Sequence, residues 1–273
     1  MSDPRPIGVF DSGIGGLTVV KELRELLPDE KIFYLGDTAR VPYGGKSAST
    51  VERYSLEIAE MLIEENAKIV VVACNTASSV ALPKLEKTLS VPVIGVIRPG
   101  AQAASRVTRN HHIGVIGTRA TIKSGAYEKA LREFDVGLRV SSLACPLLVP
   151  LIEEGCLEDE LTDRTIARYL EPLANDGIDT LVLGCTHYPL LTGAIARVLK
   201  HKVSLVDSAR NCATAVQDLL DRYSLRAPSG NNGGLKVALT DQPDNFLRVA
   251  REALDLDVGK IQLREVLHGA VQV

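Results

Sequence analysis

The sequence predicts an α/β protein of two pseudo-symmetric domains, each a mainly parallel sheet flanked by helices, with a site in the cleft between them. Three observations carry this expectation. Short apolar runs alternate with amphipathic segments, the pattern of stacked βαβ units. Two of the runs, Ile69-Val70-Val71-Val72-Ala73-Cys74-Asn75-Thr76 and Thr180-Leu181-Val182-Leu183-Gly184-Cys185-Thr186-His187, share an apolar stretch, a small residue and a cysteine in the same order. Other identities keep the same order: Ile113-Gly114-Val115 repeats Ile7-Gly8-Val9, Val149-Pro150 repeats Val41-Pro42 and Val203 repeats Val93, at a near-constant spacing of about 110 residues.

The chain of 273 residues is long enough for one large or two modest cores. Hydrophobic residues at 45% and charged residues at 24% are ordinary globular values. A net charge of −3 gives no reason to expect nucleic acid or an acidic membrane surface as partner, and 4% aromatics argue against a base-stacking platform. No apolar run approaches the length of a membrane span and no leader pattern opens the chain, so a cytoplasmic location is expected. Five cysteines without a Cys-x-x-Cys spacing fit reduced thiols better than disulfides or a zinc site, and no metal is expected.

Taken in order, Ile7 to Phe10 reads as the first strand. It runs into Asp11-Ser12-Gly13-Ile14-Gly15-Gly16 and a helix with Leu17, Val20, Leu23 and Leu27 on one face. Glycines in such a turn let backbone approach a ligand, and the helix start favours an anion. Asp11 is unusual there: it either handles a proton or cation, or serves as a helix cap. A strand around Ile32 to Leu35 leads to the glycine-rich loop from Gly36 to Lys46, of a kind that commonly carries binding groups. A helix from Ser47 to Asn66, with Val51, Tyr54, Ile58 and Met61 inward, precedes the first cysteine strand. Val93 to Val96 is the next strand, and Arg98-Pro99-Gly100 is expected to break the pattern at a domain boundary. The chain then starts again at Ile113. Ser224 to Gly234 is a polar loop, followed by a strand from Leu235 to Leu239 and a helix around Asn245 to Leu254 that could complete either domain.

Side chains just past the carboxyl end of a parallel strand face the crevice where ligands bind, which places Cys74 and Cys185 for chemistry. A single such cysteine is as readily inert packing; two in matched positions point to function. Cys145 is followed by Pro146, which has no N–H to offer a ligand, and Cys156 and Cys212 have no twin, so all three are expected to be structural. His111, His112, His201 and His268 lack a comparable setting, whereas His187 lies two residues past Cys185.

Asp11-Ser12-Gly13-Ile14-Gly15-Gly16, Pro42-Tyr43-Gly44, Ala73-Cys74-Asn75-Thr76 and Gly184-Cys185-Thr186-His187-Tyr188-Pro189 closely resemble the motifs of glutamate racemases, within the cofactor-independent aspartate/glutamate racemase superfamily. The resemblance covers nearly the whole chain. It implies interconversion of L- and D-glutamate for cell-wall peptidoglycan, with no pyridoxal phosphate, metal or nucleotide as cofactor. Inverting an α-carbon needs one group to take a proton from one face and another to deliver a proton to the other, so one cysteine must be thiolate while the other is thiol. Both cysteines precede expected helix starts, which lower a thiol's pKa, and an open cleft with a cysteine poised near neutrality is expected. The resemblance further implies that Asp11 assists Cys74 and His187 assists Cys185, with Cys185 acting on L-glutamate and Cys74 on D-glutamate. By the same likeness Asp11, Ser12, Pro42, Tyr43, Gly44, Asn75, Thr76, Thr118, Thr121, Thr186 and His187 contact the substrate. Thr118 is the repeat partner of Ser12, and Glu153 is read as solvated.

The resemblance also implies an inserted second domain, with residues 1–97 and 207–273 forming the first and 98–206 the second. The partner expected is the small molecule glutamate, with a homodimer possible and neither nucleic acid nor membrane. Two rivals remain open. An aspartate racemase would keep both cysteines, and a two-lobed amino-acid binding protein would share the cleft but have no need of the cysteine pair.

Overall fold

The computed structural model describes residues 2–242 and 246–266. Two parallel sheets divide the chain. The first has six strands in the order β10-β9-β2-β1-β3-β4, formed by β1 (Ile7–Asp11), β2 (Ile32–Gly36), β3 (Ile69–Val72), β4 (Val93–Gly95), β9 (Leu235–Leu239) and β10 (Ile261–Leu263). The second has four in the order β6-β5-β7-β8, formed by β5 (His112–Gly117), β6 (Arg139–Ala144), β7 (Thr180–Gly184) and β8 (Ser204–Asp207). β1, β2, β3 and β7 are buried along their whole length, as strands covered on both faces by helices must be.

The order of the second sheet reproduces the middle of the first. β1 lies between β2 and β3, and β5 between β6 and β7. Ile7 pairs with Ile69 and its repeat partner Ile113 with Thr180, so both cysteines leave their sheets at equivalent places beside the central strand.

Among the helices, α1 (Leu17–Leu26) buries Leu17, Val20 and Leu23 on the face predicted. α2 (Ala48–Glu64) is capped by Ser47, whose hydroxyl accepts the Thr50 N–H, but its buried stripe is Val51, Ser55, Ile58, Ala59 and Leu62. Tyr54 and Met61 lie half-buried at its flanks, and the Arg40 guanidinium sits 4.0 Å from the Tyr54 ring centre. α3 (Asn75–Val80) and α4 (Leu82–Thr88) lead to β4. α5 (Ile97–Val107) then runs through Arg98-Pro99-Gly100, where a break was expected. Proline is tolerated there because it occupies the first helical turn, whose N–H groups have no intrahelical partner. Gly100 is equally deliberate: a Cβ there would come to 3.3 Å from Ser208 Cβ.

The second sheet is flanked by α6 (Arg119–Lys123), α7 (Ala126–Phe134), α8 (Leu148–Glu153), α9 (Glu160–Asn175) and α10 (Thr192–Val198). α11 (Ser208–Arg222) returns to pack on α1. Beyond it β9 pairs with β2, so the C-terminal segment completes the first sheet. The expected helix near Leu254 is a short α12 (Phe246–Arg248) followed by a π-helical stretch Val249–Ala253; its predicted start at Asn245 and the predicted His268 lie outside the described residues. β10, whose apolar run is too short to read from the sequence, pairs with β9. Among the described residues, no helix is long and apolar enough to cross a membrane.

Candidate active site

The carboxyl ends of both sheets open on one cavity of about 250 Å³. The first sheet and its loops contribute Ser12, Pro42, Tyr43, Gly44, Cys74, Asn75 and Thr76 to its wall; the second contributes Thr118, Cys185, Thr186 and His187. The repeat is visible in the wall itself, since Val41-Pro42 and Val149-Pro150 both line it. Asp11 and Thr121 are fully buried behind the lining.

After β3 the backbone turns so that Cys74 becomes the N-cap of α3, its Sγ accepting the Ala77 N–H at 3.5 Å. The Cys74 thiol reaches Ser12 Oγ at 3.7 Å. Cys74 is only 4% exposed, so the cleft is more closed than the sequence suggested. Burial pushes its pKa up to about 12, the Asp11 carboxylate adds to the rise, and the Ala77 N–H and the Ser12 hydroxyl oppose it. Cys74 is therefore a thiol at neutral pH, because burial outweighs the lowering expected from the helix start.

Asp11 ends β1. Its Oδ2 accepts the N–H groups of Gly13 and Gly16 at 3.1 and 3.0 Å, so the anion expected at this helix start is the protein's own carboxylate. The cap and the chemical reading of Asp11 thus meet in one side chain, whose Oδ1 lies 3.4 Å from Thr186 Oγ1. The glycines serve close approach: a Cβ at Gly15 would come to 2.4 Å from Thr186 Oγ1 and 2.5 Å from His187 Nδ1. Only a glycine lets the start of α1 press against the second cysteine's turn.

Cys185 follows β7 and is 6% exposed. Its Sγ lies 3.8 Å from His187 Nδ1, and His187 Nε2 lies 3.1 Å from Glu153 Oε1. Burial alone would lower the His187 pKa, but hydrogen bonds to Cys185 and Glu153 overcome it and raise the value to about 10, so the ring is an imidazolium at neutral pH. Glu153, read as solvated, is half-buried and engaged with His187. It lines the cavity and holds His187, and its signal in the sequence was position: it stands one helical turn after Pro150, the repeat partner of Pro42. The helix start expected after Cys185 is a 3₁₀ turn, Tyr188–Leu191.

Threonine hydroxyls tie the two sides together. Thr76 Oγ1 lies 2.9 Å from Thr118 Oγ1, and Thr121 Oγ1 sits 3.3 and 3.0 Å from them. Thr121 therefore holds the lining threonines from behind. Tyr43 donates its hydroxyl to the buried Asp37 carboxylate, which Arg40 also engages, and Gly44 leaves room for Thr118, whose Cβ would meet a side chain there at 2.6 Å. Asn75 lines the cavity at 2% exposure; its Oδ1 accepts the Tyr127 hydroxyl at 2.6 Å, while among the described residues its Nδ2 has no partner. Cys145 and Cys212 are wholly buried in the cores, with thiols pushed up to about 12 by burial, and Cys156 lies beyond α8.

Residues 7–216 match the model of the Asp/Glu/Hydantoin racemase family. The chain belongs to that family. Over 257 residues, this racemase-family chain is 49% identical to a glutamate racemase of Geobacter metallireducens, covering 94% of this chain and 95% of that protein. Among solved structures, a glutamate racemase isoform from Bacillus anthracis superposes with a TM-score of 0.91 at 41% identity, covering 95% of this chain and 97% of the other. A glutamate racemase from Francisella tularensis in complex with D-glutamate gives 0.91 at 35% identity, covering 98% and 100%. No group of three or more histidine, cysteine or acidic side chains placed to hold a metal occurs among the described residues.

Proposed function

We propose that this chain is a glutamate racemase that interconverts L- and D-glutamate, by proton transfer between the substrate α-carbon and two cysteines, without a cofactor. The observation that carries the reading is the pair Cys74 and Cys185. They follow equivalent strands of the two sheets and line one cavity, with unequal polar surroundings. In the L-to-D direction Cys185, as thiolate beside the His187 imidazolium, takes the α-proton. The Cys74 thiol gives its own proton to the opposite face of the carbanion, which leaves Cys185 as thiol and Cys74 as thiolate. The Ala77 N–H and the Ser12 hydroxyl then hold the charge on Cys74. The D-to-L direction runs the same steps in reverse.

Substrate carboxylates are assigned to the neutral donors of the wall: Ser12, Asn75, Thr76, Thr118 and Thr186, with Pro42, Tyr43 and Gly44 closing the side. Asp11 assists from behind the glycine turn. We assign residues 1–97 and 207–273 to one domain and 98–206 to the other, in keeping with the membership of the two sheets. D-Glutamate made in this way would supply peptidoglycan synthesis.

The test is incubation of the purified protein with L-glutamate in deuterated water with nothing added. Optical rotation is expected to decay to zero and the product to carry deuterium on the α-carbon. L-Aspartate, run in parallel, is expected to turn over at a far lower rate. Unchanged rotation, activity that needs added pyridoxal phosphate, or preference for aspartate overturns the reading.

A further inference from the structure

Tyr127, on α7, touches both cysteine turns while belonging to neither motif. Its ring is 2% exposed and lies against the last residue of β7, where a Cβ on Gly184 would come to 3.0 Å from Tyr127 Cε2. Cys185 is the next residue. The Tyr127 hydroxyl crosses to the other side of the cavity and donates to Oδ1 of Asn75, the residue after Cys74, at 2.6 Å. Ser208, at the start of α11, lies beside the phenol oxygen, and the phenol proton goes to Asn75. Burial raises the Tyr127 pKa, which keeps it a donor throughout the neutral range.

The consequence falls on the Asn75 amide. Rotation by half a turn exchanges its carbonyl oxygen with its NH₂ group, and the side chain by itself has little preference between the two. Tyr127 can donate only to the oxygen. Nδ2, on a residue that lines the cavity, is thereby left buried and without a partner among the described residues. A buried amide NH₂ left unpaired is costly and is satisfied by an acceptor, best by an anionic oxygen. The flipped amide would present a carbonyl to the same carboxylate and repel it.

We propose that Tyr127 is a positioning residue that fixes the Asn75 amide with its NH₂ toward a substrate carboxylate, while its ring sets the distance between the two cysteine turns. This deepens the glutamate racemase reading and rests on it for the identity of the carboxylate. Tyr127→Phe keeps the ring and removes the donor. It is expected to raise KM about ten-fold for both L- and D-glutamate, the loss of one hydrogen bond's worth of orientation, while kcat changes by less than about three-fold. In an Asn75→Ala background there is no amide to orient, so Tyr127→Phe should leave KM unchanged. A packing role would instead give equal fold-changes in both backgrounds, and that result, or an unchanged KM in the single variant, overturns the proposal.

A readout that needs no turnover accompanies the kinetics. The Asn75 side-chain NH₂ signals, identified by their loss in Asn75→Ala, are expected as one sharp pair in the wild-type protein and as a broadened or doubled pair in Tyr127→Phe. Identical signals in the two proteins overturn the proposal. Should Tyr127→Phe fold too poorly to measure, the wild-type signals decide: a single sharp pair in slow exchange with water supports the locked amide, and a broadened pair refutes it. If wild-type protein leaves glutamate untouched while the Asn75 signals still respond to Tyr127→Phe, the racemase reading fails and the positioning role stands.

Discussion

The two cysteine turns leave equivalent strands and differ in their company. Both follow the strand beside the centre of a parallel sheet, and both face one cavity. Cys74 is surrounded by a backbone N–H, the Ser12 hydroxyl and, behind them, the Asp11 carboxylate, and burial leaves it a thiol with a pKa of about 12. Cys185 has a histidine at 3.8 Å that Cys185 itself and Glu153 keep charged against burial. The duplicated fold thus supplies matched positions, and the side chains added to each copy supply different electrostatic surroundings. A perfectly symmetric pair would provide the first without the second.

The strongest way to break the comparison is to remove one cysteine at a time. Cys74→Ser and Cys185→Ser are each expected to cut racemisation by about a thousand-fold or more, because serine is a far poorer base than a thiolate. A glutamate analogue with a leaving group on the β-carbon needs only one base, since loss of the α-proton is followed by elimination. Cys74→Ser should still process the L-analogue and Cys185→Ser the D-analogue, measured by release of the leaving group. Equal loss of both analogues in both variants would end the two-base reading.

A smaller effect is expected when the Cys185 side is made to resemble the Cys74 side. Glu153→Gln removes an anionic partner of His187, and the L-to-D rate should fall by about ten- to a hundred-fold, with the high-pH limb of the rate profile moved to lower pH. Stability depends on the same group. The folded chain holds the His187 proton up to a pKa of about 10 against 6.5 when unperturbed, so its contribution is full below pH 6.5 and is lost as pH rises through 10. The melting temperature of Glu153→Gln should therefore lie below wild type at pH 7 and approach it above pH 10. An unchanged gap across that range would mean that Glu153 acts on something other than the histidine.

The mildest change sharpens the Cys74 side. Ser12→Ala removes one of the two groups that favour a charged Cys74, and D-glutamate turnover should drop about ten-fold at neutral pH, by the weight of one charge-assisted hydrogen bond. Inactivation by a small alkylating reagent, mapped by peptide, should slow at Cys74 and remain unchanged at Cys185. Equal slowing at both would place Ser12 in substrate binding alone.

The α/β class, the duplicated order and the positions of both cysteines were legible because they rest on local pattern: a buried parallel strand is an apolar run, and the residue just past its carboxyl end faces the crevice. Asp11 and His187 were found for the same reason, each lying within a few residues of a strand end. The break expected at Arg98-Pro99-Gly100 failed where local pattern is ambiguous, since a proline in the first helical turn and a proline in a loop look alike in sequence. Glu153 and Tyr127 belong to another class. Glu153 meets His187 across 34 residues, and Tyr127 meets Asn75 across 52. The sequence by itself determined that two cysteines would leave two equivalent strands, because strand and turn are set by neighbours along the chain. Which of them is kept as a thiol, and which has a charged histidine beside it, was decided only by the tertiary structure, because burial and ion pairing are set by residues that are neighbours in space alone.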